Sequence, residues 1–234
     1  MKFHVVTLFP EVIEAYTSAS ILGRAQKVTA YSGTPPKAVG KLLGVKTYQL
    51  RDFVDNKWGK ADGRPYGGGP GMVLEAMPFI KATERIKTTI YRSLQKNRKI
   101  KVLITAAGGK PLTNAYAKKL AKEKEVIILC GRYEGIDSRV KKILRAEEVS
   151  VGPYILTGGE VPALAIIDAT ARQIEGVLGK FESLEESRIA SHEIYTRPEV
   201  LVHKGKKFKV PKVLLSGHRV KIDEWKAKKR SKPE

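Results

Sequence analysis

The residues of this chain that could transfer a proton lie in one predicted helix and in one acidic run. Asp168 and Arg172 are four residues apart, a spacing that favours an ion pair, although Arg172 could instead face an anionic substrate. Three carboxylates, those of Glu182, Glu185 and Glu186, stand together in a basic chain. A carboxylate near a polyanion has a raised pKa and can act as a general base, but such a run is more commonly a solvated surface. The sequence leaves both interpretations open.

A disulfide and a zinc site are disfavoured by the residue counts. The chain has one cysteine, Cys130, which excludes an internal disulfide and a cysteine-based zinc cluster. Its four histidines show no metal-ligand spacing, and no Ser/His/Asp order is credible. The single cysteine is typical of a reducing compartment, so we expect a cytoplasmic protein.

Three glycine-bearing turns, at residues 106–109, 131–135 and 151–160, each follow a predicted strand. Ligands of open parallel sheets bind beyond the carboxyl ends of the strands, so these turns could line one pocket. Its walls would be backbone and small side chains, with Glu134, Tyr154 and Thr157 as polar groups, which suits an adenosine-like ligand better than a metal. Three ordinary strand-to-helix turns are the alternative interpretation.

A further glycine-rich segment, RPYGGGPGM, occupies residues 64–72. Consecutive glycines let backbone amides approach a ligand, so the segment could cradle a phosphate. It lacks the Lys-Ser/Thr ending of a P-loop and the spacing of a dinucleotide fingerprint. A tight surface loop at a subunit contact explains it equally well.

The elements that must position these residues alternate between short apolar runs and amphipathic stretches. This alternation predicts an α/β fold with a mostly parallel sheet. The predicted strands cover residues 3–9, 45–50, 101–105, 126–130 and 148–151, and the predicted helices cover residues 11–26, 76–94, 113–123 and 161–174. Residues 29–44 are interpreted as a surface insertion, residues 55–71 as an irregular loop and residues 176–198 as a linker.

The charge of the chain indicates a polyanionic partner. Its 234 residues carry a formal net charge of +20, which draws nucleic acid and repels basic proteins. From residue 199 to residue 234 there are 12 Lys and Arg against 4 Asp and Glu, so the excess is locally concentrated. A basic surface tuned only for solubility is the alternative. No apolar run approaches the roughly 18 residues of a membrane span, so we expect no membrane partner.

Six motifs stand in this order along the chain: RPYGGGPGM (64–72), CGRYEGID (130–137), SVGPYILTGGEVPA (150–163), GVLG (176–179), YTRPEVL (195–201) and VPKVLLSG (210–217). Together they closely resemble the motifs of bacterial tRNA (guanine-N1)-methyltransferases. The resemblance extends from LFPE at residues 8–11 to Trp225 and so covers nearly the full chain.

This resemblance implies a SPOUT-type α/β fold with a C-terminal trefoil knot, a small C-terminal helical domain and a homodimer with active sites at its interface. The implied domains are residues 1–175, which bind S-adenosylmethionine, a linker at residues 176–198 that carries the base, and a small basic tRNA-binding domain at residues 199–234. The implied reaction moves a methyl group from S-adenosylmethionine to N1 of the guanine just 3′ of the anticodon. A SPOUT methyltransferase of another RNA position and a catalytically inactive RNA-binding homologue are the alternatives.

The resemblance also implies the site residues. It places the methyl donor against residues of the three turns, namely Thr105, Ala106, Gly131, Glu134, Val151, Gly152, Pro153, Tyr154, Ile155, Leu156, Gly158 and Gly159. Arg172 matches the family arginine that stabilises negative charge on the guanine. The family base is an aspartate in the linker, and Glu186 is its best match, with Glu185 as the alternative.

The chain departs from the family pattern at several positions. Glu186 has one methylene more than the family aspartate, and the linker is shorter than usual. Pro153 and Ser191 stand where the family commonly has aspartates, which leaves the Mg²⁺ dependence known in the family undecided for this chain. The C-terminal domain is short after Trp225, so Lys226, Lys228, Lys229 and Arg230 could contact RNA phosphates without specificity.

Overall fold

The chain forms two compact units, Met1–Gly179 and Lys180–Glu234. A computed structural model describes residues 1–27, 29–30, 38–93, 100–178 and 193–229. No helix within these ranges combines the length and the apolar character that crossing a membrane requires.

The first unit alternates strands and helices along most of its length. Its elements are β1 (Lys2–Thr7), α1 (Pro10–Thr17), α2 (Ser20–Ala25), β2 (Thr29–Ala30), β3 (Ala38–Val39), β4 (Gly44–Gln49), a 3-10 helix (Leu50–Phe53), β5 (Asp62–Gly63), β6 (Val73–Leu74), α3 (Ala76–Ser93), β7 (Lys101–Pro111), α4 (Asn114–Leu120), β8 (Glu125–Leu129), α5 (Arg139–Leu144), β9 (Glu147–Ser150) and α6 (Glu160–Ala171).

A five-stranded sheet in the order β4-β1-β8-β7-β9 forms the centre of this unit. All four pairings of neighbouring strands are parallel. The prediction of an α/β fold with a mostly parallel sheet is therefore confirmed, and each predicted strand overlaps one of these five.

Hydrophobic cores lie on both faces of the sheet because side chains alternate along each strand. In β8, Val126 and Ile128 face a core closed by α1, α2, α4 and α6. Ile127 and Leu129 face the opposite core, which is closed by α3, α5 and the 3-10 helix. A sheet covered on both faces has apolar strands, and β8 is buried along its whole length.

The structure differs from the sequence prediction in several elements. The helix predicted at residues 11–26 is two helices, because Ser20 has a φ of 48° and cannot continue α1. The short helix α5 was not predicted, and the loop at residues 55–71 contains the two-residue strand β5, paired with β6. Strand β7 extends to Pro111 through a bulge, since Thr105 and Lys110 both pair with Val149.

The described part of the second unit contains a hairpin followed by two helices. The strands are β10 (Val200–His203) and β11 (Lys206–Lys209), and the helices are α7 (Lys212–Leu215) and α8 (Arg219–Lys228). The rings of Tyr195 and Trp225 lie 6.3 Å apart, and Lys229 forms an ion pair of 2.7 Å with Glu193. These contacts join the start of the described segment to α8.

Candidate active site

A cavity of about 380 Å³ lies beyond the carboxyl ends of β7, β8 and β9. The three glycine-bearing turns that follow these strands form its walls. It is lined by eleven of the twelve residues expected to hold the cofactor, namely Thr105, Ala106, Gly131, Glu134, Val151, Gly152, Tyr154, Ile155, Leu156, Gly158 and Gly159. Pro153 does not line the cavity, although both of its neighbours do.

The first wall is the bulge in β7. Residues 106–109 leave the ladder with β9 between two pairings of Val149, and Ala106 and Ala107 line the cavity. Just before the bulge, the buried Thr105 hydroxyl donates a hydrogen bond of 3.3 Å to the carbonyl of Leu129 in β8. The backbone of residues 106–109 therefore lies outside the ladder with β9, and its first two residues line the cavity.

The second wall is the turn after β8, and the glycine-rich segment supports it from outside. The amide of Glu134 donates to the carbonyl of Met72, and the amide of Leu74 donates to the carbonyl of Gly135, both at 3.0 Å. The Glu134 side chain lies against the backbone of Gly71, where a Cβ would be 2.5 Å from Oε1. The glycine-rich segment thus contacts the back of the cavity wall.

The third wall is the turn after β9. The ring of Tyr154 covers Gly152, and its hydroxyl donates a hydrogen bond of 3.1 Å to the carbonyl of Val151. Ile155 is 85% exposed and Leu156 is 40% exposed, although both line the cavity. This wall therefore presents apolar side chains to a ligand at the mouth of the cavity.

Gly159 is the point where all three walls meet. Its amide donates a hydrogen bond of 2.8 Å to the carbonyl of Gly131. A Cβ at this position would lie 2.1 Å from Oγ1 of Thr105 and 2.7 Å from the amide nitrogen of Gly131. Only a residue without a side chain allows the third turn to approach the ends of β7 and β8 this closely.

A buried carboxylate, that of Glu160, holds the second and third turns together. Glu160 is 1% exposed; its Oε1 accepts a hydrogen bond of 2.6 Å from the Thr7 hydroxyl, and its Oε2 accepts one of 2.9 Å from Nε of Arg132. The Arg132 guanidinium lies 4.4 Å from the centre of the Phe9 ring, and it also donates to the carbonyl of Thr157 at 3.4 Å. The charge of Glu160 is thus compensated, as burial requires.

Replacement of Glu160 by Gln tests this network. The amide keeps the shape but loses the charge, so we expect the free energy of unfolding to fall by about 2 to 3 kcal/mol. We expect affinity for S-adenosylmethionine, the methyl donor that the family resemblance implies, to fall about 10-fold, because the two turns are no longer tied by an ion pair. Thermal unfolding and titration calorimetry measure the two effects.

Asp55→Asn is the control for this substitution. It also removes one ion pair, between Lys81 and an Asp55 side chain that is 84% exposed, where such pairs contribute less than about 1 kcal/mol. Equal losses of stability in the two variants would show that Glu160 stabilises the fold no more than a surface carboxylate does.

Cys130, at the end of β8, is not a nucleophile in this site. Burial, with the nearby Glu160 carboxylate, raises the pKa of its thiol well above the ordinary value. The thiol is therefore neutral at physiological pH. Among the described residues there is also no group of three His, Cys, Asp or Glu side chains that could hold a metal ion.

Of the two residues expected to act on the substrate, the structure describes Arg172, which is not part of this cavity lining. Arg172 follows the last turn of α6 and is partly buried. Asp168 accepts a hydrogen bond of 2.7 Å from the hydroxyl of Tyr16. Glu186, together with Glu182 and Glu185, falls at residues 179–192, outside the described residues.

Sequence reasoning missed several residues of the cavity. Arg132 and Asp137 belong to the CGRYEGID motif but received no role, and Lys141 and Glu148 form an ion pair of 2.6 Å at the rim. A hydrogen bond from Arg139 holds the pKa of Asp137 below its ordinary value. The polar residues directly after Gly131 were the available signal, since the turn was already expected to line a pocket.

Comparison with known proteins gives consistent matches over the whole chain. The family model described as tRNA (Guanine-1)-methyltransferase TrmD matches residues 1–233. A tRNA (guanine-N(1)-)-methyltransferase of Desulforamulus reducens is 39% identical over 229 residues, 96% of this chain and 82% of the relative. The enzyme of the same name from Clostridioides difficile is 38% identical (96% and 90% of the two chains), and that from Ruminiclostridium cellulolyticum is 40% identical (96% and 89%).

Proposed function

The chain belongs to the tRNA (guanine-1)-methyltransferase family, and from this premise we propose that it methylates N1 of the guanine just 3′ of the anticodon, with S-adenosylmethionine as methyl donor. The observation that carries the proposal is the cavity formed by three turns at the ends of β7, β8 and β9. Its volume and its lining of backbone, small side chains and exposed apolar residues suit a nucleoside with a short polar tail.

Residues of the three turns would hold the methyl donor. The backbone around Gly131 and residues 151–156 offers amide and carbonyl groups, and Tyr154, Ile155 and Leu156 offer apolar surface. When bound, S-adenosylmethionine supplies a methyl group made electrophilic by a sulfonium. The protein then has to position a nucleophile on the side of the methyl carbon that is opposite the sulfur. Guanine N1 of the tRNA becomes that nucleophile only after it loses its proton.

Glu186 and Arg172 complete the proposed mechanism. The carboxylate of Glu186 accepts the proton of guanine N1. The guanidinium of Arg172 donates to O6, where the electron pair left on N1 delocalises as negative charge. The N1 lone pair forms the new bond to the methyl carbon as the bond from that carbon to sulfur breaks.

The SPOUT-type knot and the domain division are parts of the same proposal. The chain that leaves β9 at the edge of the sheet returns to the turn after β8, where Gly158 and Arg132 pair in an isolated bridge. This return past the end of β7 supports a knotted domain over residues 1–175. The linker at residues 176–198 then carries the base, and residues 199–234 form the tRNA-binding domain.

We also propose that the enzyme acts as a homodimer in the cytoplasm, where its tRNA substrate is found. Ile155 and Val161, at the cavity and at the start of α6, are 85% and 57% exposed. Exposed apolar side chains beside a site are typical of protein interfaces. A second copy that covers them would close the cavity from outside.

Methylation of unmodified tRNA tests the function directly. We expect the purified protein with labelled S-adenosylmethionine to place one methyl group on N1 of the guanine just 3′ of the anticodon. The measurement is nuclease mapping of the labelled tRNA. A methyl group at another nucleotide would reveal a different RNA specificity, and binding of tRNA without transfer would reveal an inactive homologue.

A further inference from the structure

Trp58 lies in a solvent-exposed turn of the first unit. It is 78% exposed, although tryptophan is highly buried on average. The ammonium of Lys57 lies over its ring, 4.8 Å from the ring centre. Trp58 belongs to neither core of the sheet and does not line the cavity for the methyl donor. Packing within the described part of the chain therefore does not explain a tryptophan at this position.

Hydrogen bonds of Asn56 hold this turn in one shape. The Asn56 carbonyl accepts a hydrogen bond of 3.1 Å from the Gly59 amide, so Lys57 and Trp58 are the central residues of a β-turn. The side-chain oxygen of Asn56 accepts a second one, of 2.8 Å, from the Lys60 amide. Its side-chain amide donates to the Lys60 carbonyl at 2.6 Å. Because the turn is fixed, the ring loses little conformational freedom when it binds a partner.

The turn stands at the edge of the sheet that holds the cavity. It follows β4 and the 3-10 helix, and β4 and β8 both pair in parallel with β1, so their carboxyl ends lie at the same edge. Since β1 lies between them, β4 and β8 are roughly 10 Å apart. After the turn the chain enters β5, whose partner β6 donates a hydrogen bond of 3.0 Å from the Leu74 amide to the Gly135 carbonyl. Two strands thus connect the turn to the second wall of the cavity.

The chemistry of this turn favours a nucleobase as its partner. An exposed aromatic ring stacks on any nucleobase, and cations beside the ring attract the neighbouring phosphates. Lys57 and Lys60 supply these cations, and neither forms an ion pair with a residue that the structure describes. An apolar protein surface is a poorer partner, because the asparagine, glycine and lysines next to the ring offer it no further apolar area.

We propose that Trp58 stacks on an unpaired nucleobase of the anticodon loop, beside the guanine that receives the methyl group, and so helps to place that guanine at the cavity. Bases of single-stranded RNA loops can be splayed out and stacked on aromatic side chains in this way. Lys57 then lies where it can contact a phosphate of the stacked nucleotide. The proposal rests on the proposed function, which makes the anticodon loop the substrate.

The first test compares Trp58→Ala, which removes the ring, with Trp58→Phe, which keeps a smaller one. We expect Trp58→Ala to lower the affinity for tRNA about 5- to 100-fold, the usual loss for one stacked base. The affinity of Trp58→Phe should lie between those of Trp58→Ala and the unchanged protein. Affinity for S-adenosylmethionine should be the same in all three. A loss of less than about 3-fold in Trp58→Ala would overturn the proposal.

Lys57→Gln is the matched control, because it removes a charge from the same turn and leaves the ring in place. We expect it to reduce the slope of log K against log salt by about 1, whereas Trp58→Ala should leave the slope unchanged. An equal change of slope in the two variants would overturn the proposal, since the ring would then act only through the charge beside it.

The fluorescence of Trp58 distinguishes a nucleobase from a protein partner. Subtracting the emission of Trp58→Phe from that of the unchanged protein separates Trp58 from Trp225, the other tryptophan of the chain. We expect acrylamide to quench this emission strongly in the free protein and weakly once an anticodon stem-loop RNA has bound. Weak quenching in the free protein would overturn the proposal, because a second copy of the chain would then already cover the ring.

Mapping of the methyl group separates a failure of this proposal from a failure of the proposed function. Methylation of another nucleotide, together with a ring-dependent affinity for the anticodon stem-loop, would contradict the proposed function and leave the stacking contact in place. Methylation of the expected guanine by Trp58→Ala with unchanged affinity for tRNA would overturn the stacking contact and leave the proposed function in place.

Discussion

Replacing Glu186 by Gln is expected to lower the rate constant of methyl transfer to tRNA by about 10²- to 10⁴-fold, the usual contribution of a general base. The amide has nearly the shape of the carboxylate but cannot accept the N1 proton. Affinity for S-adenosylmethionine should stay within about 2-fold, since the proposed role of the carboxylate is to accept a proton from the guanine and not to hold the methyl donor. Single-turnover transfer and calorimetric titration measure the two quantities.

Glu185→Gln is the matched control for this prediction. It removes the same charge from the neighbouring residue, so we expect transfer within about 3-fold of the unchanged enzyme. Full activity of the Glu186 variant together with an inactive Glu185 variant would show that Glu185, and not Glu186, is the base. Full activity of both would show that neither glutamate accepts the proton.

Replacing Gly159 by Ala is expected to deform the junction of the three walls. The added methyl group would lie 2.1 Å from Oγ1 of Thr105 and 2.7 Å from the amide nitrogen of Gly131, so strands or turns must move. Overpacking of this kind lowers the free energy of unfolding by about 1 to 3 kcal/mol. We expect affinity for S-adenosylmethionine to fall about 10- to 100-fold, because the displaced residues form the cavity.

The backbone of Gly159 would itself accept alanine, since its φ is −83° and its ψ is −5°. The substitution therefore reports on the close approach and not on backbone strain. Gly108→Ala is the control: it lies in the bulge of β7, and an added Cβ there meets no atom within 4 Å. Comparable loss of cofactor affinity in both variants would show that the bulge, and not the junction, determines binding.

The pocket was predictable because its walls are local features of the sequence. Each of the three turns follows directly on an apolar strand, and parallel strands place their carboxyl ends at one edge of the sheet. The glycines in these turns indicated positions where the backbone comes close to other residues. Gly159 is the clearest of them, because a Cβ there would lie 2.1 Å from Oγ1 of Thr105. Recognising that three turns follow parallel strands was therefore enough to expect one pocket, whereas the individual residues expected in it came from the family resemblance.

The Glu160 network was not predictable from local patterns. Thr7 and Glu160 are 153 positions apart, and no spacing rule connects a strand end to the first turn of a distant helix. Glu160 was also surrounded by glycine and apolar residues, which gave no sign of its cationic partner Arg132. The bulge in β7 was not predicted for a related reason. The register of β7 depends on its pairing with β9, which lies later in the chain.

The hydrogen bond from Thr7 to Glu160 has a consequence for the order of folding. The first strand of the protein is made early on the ribosome, but its buried hydroxyl acquires its partner only after some 150 further residues have been synthesised. A nascent chain that ends at β9 therefore lacks the third wall and the carboxylate that ties it to the second. The proposed cavity for the methyl donor is thus complete only late in synthesis, after all five strands of the sheet have been made.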